Sequence, residues 1–260
     1  MTRYFPEPYP NESIQSIIVR YARRYGYDSY YYVLANIYGE EYKGKKVNPL
    51  FGQNVSRLIE NLPEKCCYTI DELICKHTAA PFYKSFMDDE KYEELIESIK
   101  YDTQNVNRMI KCNHNILCFC HKCRSEDKKY YGESYLHIEH QIPGNLICSK
   151  HGEVLEKVYI PKHNVKIVDI DKIEVLEKNY EINKWFSQEI EIGYKVSLGV
   201  DQLLEQSKHT VNRNNTSCIY KNKLTSLGYV GCNGIDRIGI IEKMYNWGSK
   251  EYLKKLIGRI

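Results

Sequence analysis

The sequence has no apolar run of about 20 residues, the length that a membrane-spanning helix needs. Its opening residues, MTRYFPEPYPNES, also lack the apolar core of a secretory signal. We therefore expect a cytoplasmic protein with no membrane partner. A Ser-His-acid arrangement, a phosphate-binding glycine loop and a nucleotide fingerprint are equally missing, so we expect no enzymatic activity.

An excess of one charge is missing as well. The chain has 37 basic and 34 acidic residues, a net charge of +3, which gives only weak support for a polyanionic partner. Any nucleic-acid surface must therefore be local. The hydrophobic share of 42% and the charged share of 27% are typical of folded globular proteins. A chain of 260 residues suffices for one large domain or for two to three small ones.

Cysteine, in contrast, is abundant, with ten residues. The reducing cytosol favours metal ligation or burial over disulfides. Cys120 and Cys123 are separated by two residues, as are Cys148 and His151, and 24 residues lie between the pairs. Two ligands separated by two residues form a zinc knuckle, a short turn that directs both side chains to one ion. The spacing therefore predicts a tetrahedral zinc site, one per chain. Three thiolates and one imidazole would complete the shell, which indicates a structural ion.

Nearby residues leave alternatives to this ligand set open. Cys118 is one residue from Cys120 and is an alternative ligand, although such tight spacing fits a tetrahedral knuckle less well. Cys112 is a further alternative. His137 and His140, three residues apart, are expected to pack or to form hydrogen bonds beside the zinc rather than to act in catalysis.

The N-terminal region shows helical periodicity. Its first segment runs from Asn11 to Gly26, where Asn11 is the expected N-cap and Gly26 is expected to end the helix in a left-handed conformation. Apolar residues recur there at three- and four-residue steps. Arg20, Arg23 and Arg24 lie off that apolar stripe, so we expect them to face outward.

A second helix is predicted after a short turn and ends at about Tyr38. Two short helices joined by a tight turn are compatible with a helix-turn-helix and equally with an ordinary helical hairpin. Lys43, Lys45 and Lys46 follow in a glycine-containing loop. We predict that these lysines and the three arginines contact DNA phosphates, with a solvated loop as the alternative.

The predicted fold is mainly α: small helical modules, some helix-turn-helix-like, around a structural zinc-binding module. Changes in residue pattern set the boundaries. The expected parts are an N-terminal helix-turn-helix-like module (1–62), a helical connector (63–115), the zinc-binding module (116–161), a helical segment (162–207), a linker (208–218) and a C-terminal helical unit (219–260).

Residues 118–155, CFCHKCRSEDKKYYGESYLHIEHQIPGNLICSKHGEVL, carry a family resemblance. The run resembles the zinc-containing core of the TniQ/TnsD transposon target-selection proteins, which read approximately FCPxC, an acidic ED pair, YGExYWH, HQxPG and CxxHG. The stretch FPEPYPNESIQSIIVRYARRYG resembles the usual start of the family. Leu136 and Ile138 replace a usual Trp and a common Arg, which we expect to alter the surface beside the metal.

The resemblance implies an adaptor that recognises a target, either a DNA site directly or a guide-RNA (CRISPR) effector complex. Such an adaptor then recruits the AAA+ ATPase of the transposon, which brings in the transposase. The alternative is a protein–protein interaction adaptor of the transposition complex that does not itself bind DNA.

Overall fold

A computed structural model of the chain describes residues 5–45, 47–62, 68–102, 106–110, 116–160, 167–171, 187–206, 222–231, 234–236, 239–240 and 242–243. Over these ranges the fold is mainly α, as the sequence predicted. Within them, every helix is too short or too polar to cross a bilayer.

The first part of the described chain is helical. Its elements are α1 (Ile14–Tyr25), α2 (Tyr30–Tyr38), a 3₁₀ turn (Glu40–Tyr42), α3 (Val55–Glu60), α4 (Ile70–His77), α5 (Ala80–Lys84), α6 (Asp89–Tyr101) and α7 (Val106–Met109).

The second part mixes helices with short strands: β1 (Ile116–Phe119), α8 (His121–Tyr131), α9 (Ile138–Gln141), β2 (Glu156–Tyr159), α10 (Ser187–Gln206), β3 (Val230–Gly231) and β4 (Gly234–Ile235). β1 and β2 are antiparallel, with Ile116 opposite Tyr159 and Phe119 opposite Glu156. β3 and β4 form a second antiparallel pair. These strands were not predicted from the sequence.

Both predicted N-terminal helices are present, as α1 and α2, with one correction at the start of α1. Ser13, not Asn11, is the N-cap of α1, and its hydroxyl accepts a hydrogen bond from the amide of Ser16. Asn11 has a φ of 54° and lies before the helix. Gly26 ends α1 at a φ of 73°, in the left-handed region that the sequence predicted.

One large core joins α1 to helices far along the chain. Its buried side chains include Ile14, Ile17, Ile18 and Tyr21 of α1, Val33, Leu34 and Ile37 of α2, Leu58 of α3, Leu73 of α4, Leu95 and Ile99 of α6, Ile138 of α9, and Val200 and Leu204 of α10. Each such aliphatic side chain contributes about 1.5–3 kcal/mol through burial. The predicted parts 1–62 and 63–115 thus share a core, and their boundary stays a prediction.

Two further segments can be compared with the sequence pattern. The pattern predicts Asp88 or Asp89 as the N-cap of the helix that ends near residue 100, and Asp88 is the cap of α6, accepting a hydrogen bond from the amide of Lys91. Alternating apolar and polar residues predict a short strand or an extended linker at residues 165–175, and the described part of it, residues 167–171, contains no strand. The predicted linker 208–218 lies outside the described residues, as does most of the predicted unit 219–260.

Candidate metal centre

The four predicted ligands come together where two short loops meet. Cys120 follows β1 and is the N-cap residue of α8, which places Cys123 in the first turn of that helix. Cys148 and His151 lie in a tight loop before β2, closed by a hydrogen bond from the amide of Cys148 to the carbonyl of Glu153, 2.8 Å. Since β1 pairs with β2, the two loops face each other.

The distances among the ligand atoms match a tetrahedral site. The Sγ atoms of Cys123 and Cys148 are 3.6 Å apart, and Nδ1 of His151 lies 3.4, 3.3 and 3.6 Å from the Sγ atoms of Cys120, Cys123 and Cys148. All four ligand atoms lie within 4.8 Å of one another. Zinc bound at about 2.3 Å to sulfur and 2.0–2.1 Å to nitrogen needs ligand separations of about 3.6–3.8 Å. The cluster fits such an ion.

A carboxylate fixes the orientation of the histidine ring. Nε2 of His151 lies 3.1 Å from Oε1 of Glu126, one turn along α8 from Cys123. This partner places the proton on Nε2, so the Nδ1 lone pair faces the three sulfurs. Lys150 also donates a hydrogen bond to Glu126 and holds the carboxylate in place. Glu126 was part of the family resemblance, but the sequence assigned it no role.

The electrostatics of the three thiols favour a bound cation. Hydrogen bonds from Cys123 and Cys148 lower the pKa of Cys120 far below its usual value. The hydrogen bond with Cys120 raises the pKa of Cys123, and that with Cys120 raises the pKa of Cys148 to about 11. The cluster by itself therefore stabilises one thiolate at the expense of the others. A dication would allow all three to be deprotonated.

The alternative ligands do not join this group among the described residues. Cys118 packs in the same apolar cluster as the ligands, but its sulfur is not part of the four-atom group. Its backbone is held by Gln141, whose side chain accepts from the amide of Cys118, 3.1 Å, and donates to its carbonyl, 2.6 Å. Cys112 lies outside the described residues.

His137 and His140 pack beside the metal centre, and their surroundings shift the two pKa values in opposite directions. His137 contacts Asp127 through Nε2, 3.0 Å, and Glu139 through Nδ1, 3.3 Å. Burial opposes its protonation, but these two carboxylates outweigh that effect and raise the pKa of His137 to about 10. Burial lowers the pKa of His140 to about 4. The sequence predicted such packing and hydrogen bonding beside the zinc.

The prediction that Arg20 faces outward is wrong. Its residue exposure is 2%, and Nη1 lies 2.7 Å from Oε2 of Glu12, which is completely buried. Nε donates to Oε1 of Glu133, 2.9 Å away. The helical wheel placed Arg20 off the apolar stripe, but the segment between the two ligand pairs covers that side of α1.

Arg23 is half-buried and Arg24 is exposed. Arg23 donates to Oε2 of Glu133, 2.6 Å, and to Asp169 through two nitrogens. Arg24 keeps 43% of its side chain exposed and lies 3.1 Å from Oε1 of Glu133. Glu133 thus contacts all three predicted arginines of α1, and the sequence gave it no such role.

The predicted lysines lie away from the metal centre. Lys43 is exposed and lies 3.1 Å from Oε2 of Glu40. Lys45 is exposed, 3.7 Å from Oδ2 of Asp102, with its Nζ 4.1 Å from the ring centroid of Tyr42. Lys46 lies outside the described residues.

The two departures from the family pattern are internal. Leu136 is 2% exposed and packs with Leu117 and Phe119, while Ile138 is 2% exposed in the main core. The expectation that these residues alter the surface beside the metal is therefore wrong. Both residues form backbone hydrogen bonds with the chain just before α1. The amide of Ser13 donates to the carbonyl of Leu136, 2.9 Å, and the amide of Ile138 donates to the carbonyl of Asn11.

Similarity to known proteins covers the N-terminal helices and the metal centre. The sequence model of the TniQ family matches residues 3–155, which include α1, α2 and all four ligands of the metal centre. The chain is also 28% identical over 162 residues to the transposon Tn7 transposition protein TnsD of Escherichia coli. That alignment covers 59% of this chain and 31% of the relative, so the matched region spans about a third of the longer protein. The chain belongs to the TniQ family.

Proposed function

We propose that this protein is a transposon-encoded target-selection adaptor that binds DNA and recruits the AAA+ ATPase and the transposase of its element. The observation that carries this proposal is the family match over residues 3–155, more than half of the chain. The name of the relative, a Tn7 transposition protein, supports the same process. Direct DNA recognition and recognition through a guide-RNA effector complex share the recruitment step.

We further propose one structural Zn²⁺ per chain, held by Cys120, Cys123, Cys148 and His151. The convergence of three sulfurs and one imidazole nitrogen supports this assignment, because that donor set suits zinc. Four protein ligands leave no open position for water or substrate, so the ion cross-links two loops without supplying chemistry. A purely structural ion agrees with an adaptor that binds partners and does not catalyse a reaction.

In the N-terminal region, the proposed phosphate contacts are Arg24 of α1 and Lys43 and Lys45 of the loop that follows the 3₁₀ turn, together with Lys46 in the same predicted loop. The side chains of Arg24, Lys43 and Lys45 are 43%, 35% and 44% exposed. Exposed ion pairs contribute only about 0–1 kcal/mol, so phosphate oxygens can replace the present carboxylate partners. Arg20 is buried and does not belong to this surface, and Arg23 positions α1 through its contacts with Glu133 and Asp169.

The test is a salt titration of duplex binding by the zinc-loaded protein. Replacing Arg24, Lys43 and Lys45 together with Gln removes three phosphate contacts, which should reduce the slope of log Kobs against log salt by about 2.7. The matched control replaces three other exposed lysines that also have acidic partners, Lys76, Lys91 and Lys195, with Gln. Equal slopes for both triple variants would contradict phosphate contacts by Arg24, Lys43 and Lys45.

A second candidate is a protein–protein adaptor of the transposition complex without DNA binding of its own. It is favoured by the acidic partners of the three arginines of α1, because the single residue Glu133 contacts Arg20, Arg23 and Arg24. Co-purification with the ATPase from nuclease-treated lysate, combined with no retention of the purified chain on duplex DNA, would establish this candidate and reject the first. Retention on duplex DNA would reject the second.

A further inference from the structure

Both acidic residues of α8 contact histidines. Glu126 contacts Nε2 of His151 at 3.1 Å, and Asp127 contacts Nε2 of His137 at 3.0 Å. Asp127 is buried, whereas the side chain of Glu126 is 38% exposed and also pairs with Lys150. Each acid of α8 therefore has a cationic or histidine partner outside the helix.

The three lysines of α8 face solvent, whereas Arg124 is buried. Lys122 and Lys128 have side chains that are 56% and 43% exposed, and Lys129 is also exposed. His121 and Ser125, the other polar residues on this side, are exposed too. The exposed face thus presents three lysines, one histidine and one hydroxyl, and the partly exposed Glu126 lies at its border.

The lysines on this face are available to an anionic partner. Lys122 lies 2.8 Å from Glu153, and Lys128 lies 3.1 Å from Asp171, both as surface ion pairs that are worth little in water. Lys129 makes no ion pair with any described residue; its Nζ lies 5.8 Å from the ring centroid of Tyr130, which is 73% exposed.

The spacing along α8 suits a phosphate backbone. Lys122, Ser125 and Lys129 stand at positions i, i+3 and i+7, which share one stripe of an α-helix. At 1.5 Å per residue the stripe extends about 10 Å. Phosphates follow one another along each strand of the duplex, so a stripe of this length can reach more than one of them.

The helix is also held rigidly before any partner arrives. Cys120 and Cys123, two of the four predicted metal ligands, fix its first turn, while Gly132 ends it at a φ of 79°. The pair of Asp127 and His137 fixes its middle. Little ordering of the backbone is then needed on binding, which favours affinity.

From the exposed lysines, their spacing and the rigidity of the helix, we propose that the outward face of α8 contacts the phosphate backbone of duplex DNA through Lys122, Ser125, Lys128 and Lys129. The proposal rests on the proposed function as a DNA-binding adaptor. It adds a second nucleic-acid contact, which lies on the metal module and uses other residues than Arg24 and the lysines of residues 43–46. Because phosphates are the same in every sequence, this face supplies affinity and orientation rather than base specificity.

The experiment uses the full zinc-loaded chain and a random-sequence 30-base-pair duplex, with affinity measured by fluorescence anisotropy from low to high salt. The Lys122→Gln/Lys129→Gln variant loses two phosphate contacts, so its salt slope should be lower than that of the wild type by about 1.8. The control, Lys76→Gln/Lys91→Gln, removes two exposed and paired lysines from α4 and α6 and should leave the slope unchanged.

Two results separate the proposals. No measurable binding by the wild type rejects the DNA role of the whole chain. Binding by the wild type with the same slope in the α8 variant rejects only the α8 contact, whatever other macromolecule that face binds. Because Lys122 neighbours a ligand, zinc content is measured for each variant; if the double variant loses zinc, Lys129→Gln alone decides, with an expected slope change of about 0.9.

Discussion

The guanidinium of Arg20 lies 2.7 Å from the carboxylate of Glu12, and both side chains are almost completely buried. Burial raises the pKa of Glu12 to about 7, against the opposing effect of the Arg20 charge. Arg20 also reaches Glu133, which lies between the two metal-ligand pairs in the sequence. One side chain therefore links the start of α1 to the metal module.

Removal of this cation should strongly destabilise the fold. Arg20→Met leaves the buried carboxylate of Glu12 without its partner, which typically costs about 3–5 kcal/mol. The free energy of unfolding, measured in urea at pH 8, should fall by that amount. The loss should be smaller at pH 6, because a protonated Glu12 needs no counter-charge.

A double variant provides the control for Arg20. Arg20→Met/Glu12→Gln removes both charges and should recover a large part of the lost stability. A loss below about 1 kcal/mol in the single variant would mean that the pair is solvated in solution.

Glu126 should control zinc affinity without being a ligand. Its contact with Nε2 of His151 orients the ring, and loss of such a partner usually weakens metal binding by about 10–100-fold. Glu126→Ala should show this change in competition with a chromophoric chelator. Glu153→Ala removes a nearby exposed carboxylate that pairs with Lys122 and should bind zinc like the wild type. Equal affinities for the two variants would contradict the positioning role.

The charge on His137 should make its contribution to stability depend on pH. Its folded pKa of about 10 exceeds the unfolded value of about 6.5, so the stabilisation is fully present below pH 6.5 and is lost as pH rises through 10. His137→Asn should therefore lose on the order of 3 kcal/mol at pH 6.5 and less at pH 9.5. Urea unfolding at the two pH values measures the difference.

His140 provides the matched control for this pH dependence. Burial lowers the pKa of His140 to about 4, so it is neutral throughout that range. Only the unfolded state titrates in this range, so the stability loss of His140→Asn should differ by no more than about 0.5 kcal/mol between pH 6.5 and pH 9.5. A His137 variant with an equally flat profile would show that His137 is neutral in the folded protein.

Metal removal should affect more than the metal loops. The amide of Ser13 donates to the carbonyl of Leu136, and the amide of Ile138 donates to the carbonyl of Asn11, so the segment between the ligand pairs supports the start of α1. After chelation, hydrogen exchange should accelerate over residues 120–151 and also in α1. Acceleration confined to residues 120–151 would show that α1 is stable without the metal module.

The sequence predicted features that depend on neighbouring residues. The two knuckles could be recognised because each pair of ligands is separated by only two residues, and Gly26 and Asp88 end or begin helices through their own backbone or side chain. Ser13 was missed because Asn11 has similar capping chemistry. The structure distinguishes the two by the left-handed backbone of Asn11.

Features that depend on distant contacts were not predictable from local pattern. Arg20 meets Glu133 across 113 positions of sequence, and a helical periodicity does not record what covers the polar side of α1. The burial of Leu136 has the same origin, since it follows from the packing of β1 against the segment before α9. Glu126 had one local signal, its position three residues after Cys123 on the same helix.

X-ray absorption at the zinc edge of the purified chain tests the metal centre most directly. A single zinc per chain with three sulfur ligands at about 2.3 Å and one nitrogen at about 2.0 Å is the expected result. A shell of four sulfurs, which would require Cys118 or another cysteine in place of His151, would contradict the assigned ligand set. A shell containing a water oxygen would contradict the closed structural site.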